Sequence, residues 1–456
     1  MKKLCSNLLL PLLVCFFFSC KNNANQTAAT QNDTATQSAD APEWILQGNI
    51  YEVNIRQYTP EGTFNAFAAH LDRLREMGVQ TLWFMPIQPI SVKDRKGTLG
   101  SYYAIADYTA ANPEFGTMDD WKRLVNSAHE KGFKVIIDWV ANHTGADHRW
   151  LQQKPDFFTK DSTGNFIAPY DWTDVRELNY DNRELHDSMT ASMKFWVTET
   201  GVDGFRCDVA GDVPDDFWKD CIATLQKEKQ LFMLAEGDKP SLHTVGFHAS
   251  YAWPMFSKMK EVANGSRPAS ALDSVIQHNN QEFPANAMYM YFTSNHDENS
   301  WNKADYGTMP GKVHEPFAVF TQTAKASIPL IYSGQEEPVL RKIEFFEKDP
   351  MTFNKLQRAP FYKTLLTLRK NNTALAADAA YRKLDAGDPA AVYAYVREKG
   401  GKRVLVVLNL SGKQQTVNIQ DQALQGNAFN VFANANEEIS SLKQLEPWGY
   451  RVYEYR

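Results

Sequence analysis

Short runs of β-branched and aromatic residues alternate with amphipathic helical stretches along most of the chain, and nothing else in the sequence restricts the fold as tightly. The runs are Ile50 to Ile55, Thr81 to Ile87, Lys134 to Val140, Gly204 to Val209, Leu231 to Glu236, Met288 to Ser294 and Ile328 to Ser333. An eighth, around Tyr251 to Trp253, is placed because closing a barrel needs it. Asp119 to Lys131 typifies the helices: Trp121, Leu124, Val125 and Ala128 recur at three and four, and Gly132 sits where a helix would stop. Nearly continuous apolar strands with helices between them call for a parallel sheet covered on its outside. The expected fold class is α/β, a (β/α)8 TIM barrel.

Two stretches depart from this rhythm. His143 to about Asn182 is rich in Asp, Gly, Pro and aromatic residues with no clear helix, and loops of that length are usually functional insertions. After a last helix over Phe361 to Arg369 the pattern alternates, in Val392 to Val396, Val404 to Leu410 and Tyr450 to Tyr453, which reads as a small antiparallel β-sandwich domain.

At the other end, Lys2 and Lys3 precede an apolar run from Leu8 to Phe18 that is too short to span a bilayer as an ordinary helix. This is an export signal. Phe17-Phe18-Ser19-Cys20 resembles a bacterial lipoprotein cleavage box, which implies a lipid on Cys20 and membrane association through it. Lys21 to Pro42, free of large apolar residues, reads as a flexible tether. Lys21-Asn22-Asn23 lacks the acidic run that some surface lipoproteins carry, which favours the periplasmic face of the cell envelope. The expected domains are a signal peptide over 1–19, the tether over 20–42, a catalytic barrel over 43–372 with its insertion at 144–182, and the terminal sandwich over 373–456.

Composition narrows the partners. The 456 residues carry 48 Lys+Arg against 54 Asp+Glu, and a net charge of −6 leaves no basic excess for nucleic acid or an anionic membrane surface. With 43% hydrophobic and 22% charged residues, the chain is far from the disordered regime. Cys207 and Cys221 can pair in an oxidising compartment, but Cys207 lies in a strongly apolar strand and two buried thiols are expected.

Four segments put acidic or histidine side chains at the C-terminal ends of expected strands, where barrel enzymes build their active sites. Asp138-Trp139-Val140-Ala141-Asn142-His143 ends the third, Gly204-Phe205-Arg206-Cys207-Asp208 the fourth, Leu234-Ala235-Glu236 the fifth, and Phe292-Thr293-Ser294-Asn295-His296-Asp297 the seventh. Carboxylates abutting buried strands are costly unless paired or used. Taken singly, Asp138 and Asp208 read as structural partners of Arg206, Glu236 as a helix-capping acid, and His143 or His296 as satisfied core histidines. Coincidence does not produce the whole constellation at matching strand ends.

In this order the four segments resemble the signature regions of the α-amylase family of glycoside hydrolases. Supporting matches lie at Gly78 to Ile87, Tyr103 to Tyr108, Val175 to Asn179 and Gly334-Gln335-Glu336. The resemblance implies Asp208 as nucleophile, Glu236 as acid/base and Asp297 as the acid that grips sugar hydroxyls. His143 and His296 would donate to hydroxyls of the same sugar, Tyr103 would stack on its apolar face, Arg206 would hold Asp208 ionised, and Asp138 and Asp107 would support the site. Trp172, Trp253 and Trp301 are candidates to line the sugar groove. The family commonly follows the nucleophile with a Lys and a His, whereas this chain reads Val209-Ala210-Gly211-Asp212. That departure weighs against calcium, although Asn142, Glu177 and Asp212 align with positions that supply oxygen ligands in calcium-dependent members. The expectation is a retaining hydrolase of α-1,4 bonds in starch, glycogen or maltooligosaccharides, with no organic cofactor. A transglycosylase or isomerase of the same family and a non-catalytic glucan-binding lipoprotein are the rival readings.

Overall fold

The computed structural model describes residues 40–303 and 307–456. The signal peptide, Cys20 and nearly all of the tether lie outside the described residues. Eight parallel strands close into a barrel: β1 (Ile50–Val53), β2 (Thr81–Phe84), β3 (Lys134–Val140), β4 (Gly204–Asp208), β5 (Phe232–Ala235), β6 (Ala249–Tyr251), β7 (Met288–Tyr291) and β8 (Ser327–Tyr332). Neighbours in sequence are neighbours in space all the way round. Nearly every strand residue is buried, as continuous Val, Ile, Leu and aromatic runs require when one face fills the barrel and the other lies under helices.

Several elements stop earlier than the sequence suggests. β1, β2 and β7 end after four residues, and the chain leaves them as loops that carry side chains to the barrel mouth. The eighth run sits two residues early. Trp253 is not a strand residue but opens the helix Trp253–Ala263, where Pro254 in the first turn suits a helix start and not a strand interior. The helix expected over Asp119 to Lys131 spans Met118–Glu130, capped by a reciprocal pair in which Thr117 and Asp120 bond each other's backbone.

The insertion after β3 has more regular structure than its composition suggests. His143–Gly145 and Val175–Glu177 form a two-stranded antiparallel pair, and a short helix, Trp150–Gln153, lies between them. Gly204 shows why β4 and β5 stay in register. A Cβ there would sit 2.0 Å from the Phe232 carbonyl oxygen of the paired strand, so only glycine fits. That close approach holds the strands bearing Asp208 and Glu236 side by side.

The C-terminal region is a six-stranded antiparallel sheet with an additional two-stranded pair. Along Val392–Lys399 the alternation is of size and not polarity. Tyr393 and Tyr395 face the barrel, 5.7 Å and 6.2 Å from the Phe320 ring, while Val392, Ala394 and Val396 face a second small core with Leu405, Val407 and Leu424. Arg397, buried in the same strand, donates to the carbonyls of Ala376 at 2.7 Å and Thr323 at 2.8 Å and fastens the sheet to the barrel helices. Cys207 and Cys221 are both buried free thiols.

Candidate active site

The floor of the barrel mouth is organised by one cation. Arg206 points inward from β4, and β3 places Asp138 directly opposite it. Its Nη1 donates to Asp138 Oδ1 at 2.8 Å and to Asp208 Oδ1 at 2.9 Å, its Nη2 pairs with Glu236 Oε2 at 2.9 Å, and its Nε donates to the Tyr251 hydroxyl at 3.0 Å. Its guanidinium also lies over the rings of Trp83, Tyr251 and Tyr103, at 5.2, 5.4 and 5.6 Å. Since two nitrogens of one guanidinium hold Asp208 Oδ1 and Glu236 Oε2, those oxygens are no more than roughly 8 Å apart.

Glu236 follows β5 by one residue and is anchored at both ends. Its backbone N–H donates to the Cys207 carbonyl at 2.9 Å, and its Oε2 accepts from the Val209 backbone N–H at 2.8 Å. Burial pushes its carboxyl up to about 7, against the pull of Arg206. Burial likewise raises Asp208 and Asp138, each opposed by Arg206. Three carboxyls thus crowd one buried guanidinium, and burial favours the protonated form of each while Arg206 favours the ionised one.

His296 and Asp297 are not the end of a strand. They open the helix His296–Asn302, whose Asn295 cap accepts from the Glu298 backbone N–H at 2.8 Å. His296 Nε2 lies 2.8 Å from the Tyr103 hydroxyl and 3.2 Å from Asp297 Oδ2, and Nδ1 is hydrogen-bonded to Glu52. Burial works against a charged imidazole here, but Asp297 and Glu52 outweigh it and raise His296 well above the ordinary histidine range. His143, buried without a carboxylate partner, is pushed down to about 3 and is a neutral imidazole hydrogen-bonded to the Tyr103 backbone. The Tyr103 hydroxyl also donates to Asp138 Oδ2 at 3.1 Å, so a hydrogen-bonded chain runs from Glu52 through His296, Tyr103 and Asp138 to Arg206.

These groups lie at or beneath a cleft of about 570 Å³, lined by Tyr103, His143, Asp208, Glu236, His296 and Asp297, with Trp172 and Asp174 on one wall and Trp301, Phe345 and Phe346 on another. Trp172 and Trp301 therefore reach the groove. Trp253 does not: it packs 5.1 Å from Phe292 and 5.2 Å from Tyr251 in the core. Asp107 is turned to Thr109, whose N–H it accepts at 2.9 Å, and to Arg149 at 3.3 Å, so it fastens the insertion and not the carboxylate cluster.

Of the aligned positions, Glu177 and Asp212 each have a carboxylate oxygen on a protein donor, and Asn142 turns its amide nitrogen to His143. Asn142 Nδ2 lies 3.4 Å from His143 Nδ1, Glu177 accepts from the Thr159 hydroxyl at 3.4 Å, and Asp212 accepts from the Tyr170 hydroxyl at 2.5 Å. No group of three or more His, Cys, Asp or Glu side chains suited to a metal ion occurs among the described residues.

Sequence reasoning missed Glu52, Tyr251 and the Lys96–Asp174 ion pair at 3.2 Å on the cleft wall. Glu52 had a signal. It is the one charged residue in the otherwise apolar strand Ile50-Tyr51-Glu52-Val53, and its carboxylate is a positioning group that orients His296 from beneath.

The family model described as "Alpha amylase, catalytic domain" matches residues 22–176 and 157–360, and a model for the SusG α-amylase C-terminal domain matches residues 392–448. The chain belongs to the α-amylase family of glycoside hydrolases. A relative within the family, α-amylase MalA of Haloarcula japonica, is 26% identical over 406 residues, covering 84% of this chain and 58% of its own length. The crystal structure of an α-amylase from Lactobacillus plantarum superposes with a TM-score of 0.81 at 28% identity, over 90% of this chain and 99% of that one. That of a maltogenic α-amylase, AmyB from Thermotoga neapolitana, gives 0.79 at 27% identity, over 90% and 96%. The α-amylase-family barrel and its C-terminal sheet thus account for nearly all of the described chain.

Proposed function

We propose that the chain is a retaining α-glucan hydrolase that cleaves α-1,4 bonds of starch, glycogen or maltooligosaccharides by double displacement. The observation that carries this reading is the single guanidinium of Arg206 gripping both Asp208 and Glu236 on the floor of a sugar-sized cleft. Retention needs a carboxylate nucleophile and a protonated carboxyl flanking one glycosidic bond, about 5 to 5.5 Å apart.

Asp208 is the nucleophile: Oδ1 stays on Arg206, leaving Oδ2 to attack the anomeric carbon. Glu236 is the acid. Its Oε2 is held by Val209 and Arg206, so Oε1 carries the proton to the leaving oxygen, and the same carboxylate then takes a proton from the water that releases the sugar from Asp208. Asp297, His296 and His143 hold hydroxyls of the reacting sugar, and Tyr103 meets its apolar face. The Arg206 charge beneath the site is fixed before the reaction, so it stabilises the ionised Asp208 without reorganising during it.

Incubation with maltoheptaose tests this reading directly. New reducing ends and shorter maltooligosaccharides are expected. Chains longer than maltoheptaose as the main product would place the protein among the transglycosylases, and an unchanged substrate would leave only glucan binding.

A further inference from the structure

The insertion after β3 carries, two residues before the cleft-lining Trp172, one residue that is conspicuous in two ways. Tyr170 is 69% exposed, and its backbone is left-handed at φ 55°, a conformation that bulky residues avoid. Its ring stands 4.9 Å from that of Trp172, a lining residue of the cleft, and its hydroxyl is hydrogen-bonded to Asp212. That bond ties the insertion to the segment just beyond Asp208, where Lys239, from the loop after Glu236, also donates to the Gly211 carbonyl.

The side of the cleft follows from the connections. Asp297 and His296 hold the reacting sugar, and Trp301, 51% exposed, stands on the helix they open. The edge next to Glu236 is built from Val209, bonded to its carboxylate, and the turn Ala210–Asp212 that continues from it. Glu236 protonates the oxygen that departs, so this edge, with Tyr170 clasped to it, faces the departing sugars.

We propose that Tyr170 is a specificity-determining residue whose exposed ring, steadied by Asp212, is the platform for the first sugars on the leaving side of the scissile bond. The proposal rests on the reading of Asp208 and Glu236 given above. An aromatic face suits the apolar face of a glucose ring, and the Tyr170 ring is exposed beside the cleft-lining Trp172. The same platform receives an acceptor sugar when the covalent intermediate is intercepted by a glucan in place of water.

The test compares kcat/KM for maltohexaose with kcat/KM for α-maltosyl fluoride, in which a single fluorine replaces the leaving sugars, using the full chain. In Tyr170→Ala the ratio of the two is expected to fall about tenfold, and in Tyr170→Phe, which keeps the ring, no more than about threefold. A wild-type ratio in Tyr170→Ala would overturn the proposal, whether both rates fall together or neither changes. So would a Phe variant as impaired in this ratio as the Ala variant. A wild-type protein inert toward both substrates would overturn the hydrolase reading itself, so the two failures are distinguishable.

Discussion

Replacing Asp208 by Asn is expected to abolish turnover, lowering kcat/KM on maltoheptaose by on the order of 10⁴-fold or more, while leaving the fold intact. The amide has the shape of the carboxylate and still accepts from Arg206 through its oxygen, so the buried cluster keeps its geometry, and the melting midpoint stays within a few degrees of the wild type. What is lost is the nucleophile. An uncharged amide cannot form the glycosyl ester, and no other carboxylate takes its place: Asp138 is held by Arg206 and Asp297 is paired with His296. Activity within tenfold of wild type would remove Asp208 from the nucleophile's role.

Glu236→Gln produces a different signature. Burial pushes the Glu236 carboxyl up to about 7, so in the wild type kcat/KM falls above that pH as the acid loses its proton, and below it as Asp208 becomes protonated. The glutamine does not titrate. Its variant is expected to lose the basic limb and about 10² to 10⁴ in kcat/KM on maltoheptaose, but far less on α-maltosyl fluoride, whose leaving group needs no proton. A surviving basic limb would exclude Glu236 as the acid.

The same variant carries a thermodynamic consequence with a definite sign. A carboxyl whose folded pKa is raised favours the neutral form in the folded state, so its stabilising contribution is present below the unfolded value of 4.5 and is lost as pH climbs through about 7. Glu236→Gln is therefore expected to melt higher than the wild type at pH 8, by up to about 3 kcal/mol of stability, and to match it near pH 4. A catalytic acid kept protonated by burial costs the fold some stability, which is the usual trade at an active site.

How much of this was legible in the sequence depended on the kind of interaction involved. Strands such as Lys134–Val140 and Gly204–Asp208 were visible because complete burial selects unbroken apolar runs, and Asp138, Arg206 and Asp208 stood out as charges within them. Strand ends were less legible. The apolar pattern continues through Met85 to Ile87 and Phe292 to Ser294 past the last residue of each strand, because the barrel mouth buries those segments too. The insertion's strands, His143–Gly145 and Val175–Glu177, pair across 29 intervening residues, and nothing local in either three-residue piece announces the other. Glu52 was overlooked because its partner, His296, is 244 residues away, and Tyr170 because a positive φ at a tyrosine leaves no mark in composition.

Two carboxyls flank one anomeric carbon in this account, and displacement occurs at that carbon twice: Asp208 breaks the glycosidic bond and forms a glycosyl ester, and water then breaks the ester. Proton NMR of maltoheptaose during the first minutes of hydrolysis, before mutarotation, reads this directly. The newly formed reducing ends are expected to appear first as the α-anomer and to relax only later toward the equilibrium mixture. Initial release of the β-anomer would mean a single displacement by water, and Asp208 would then be no nucleophile.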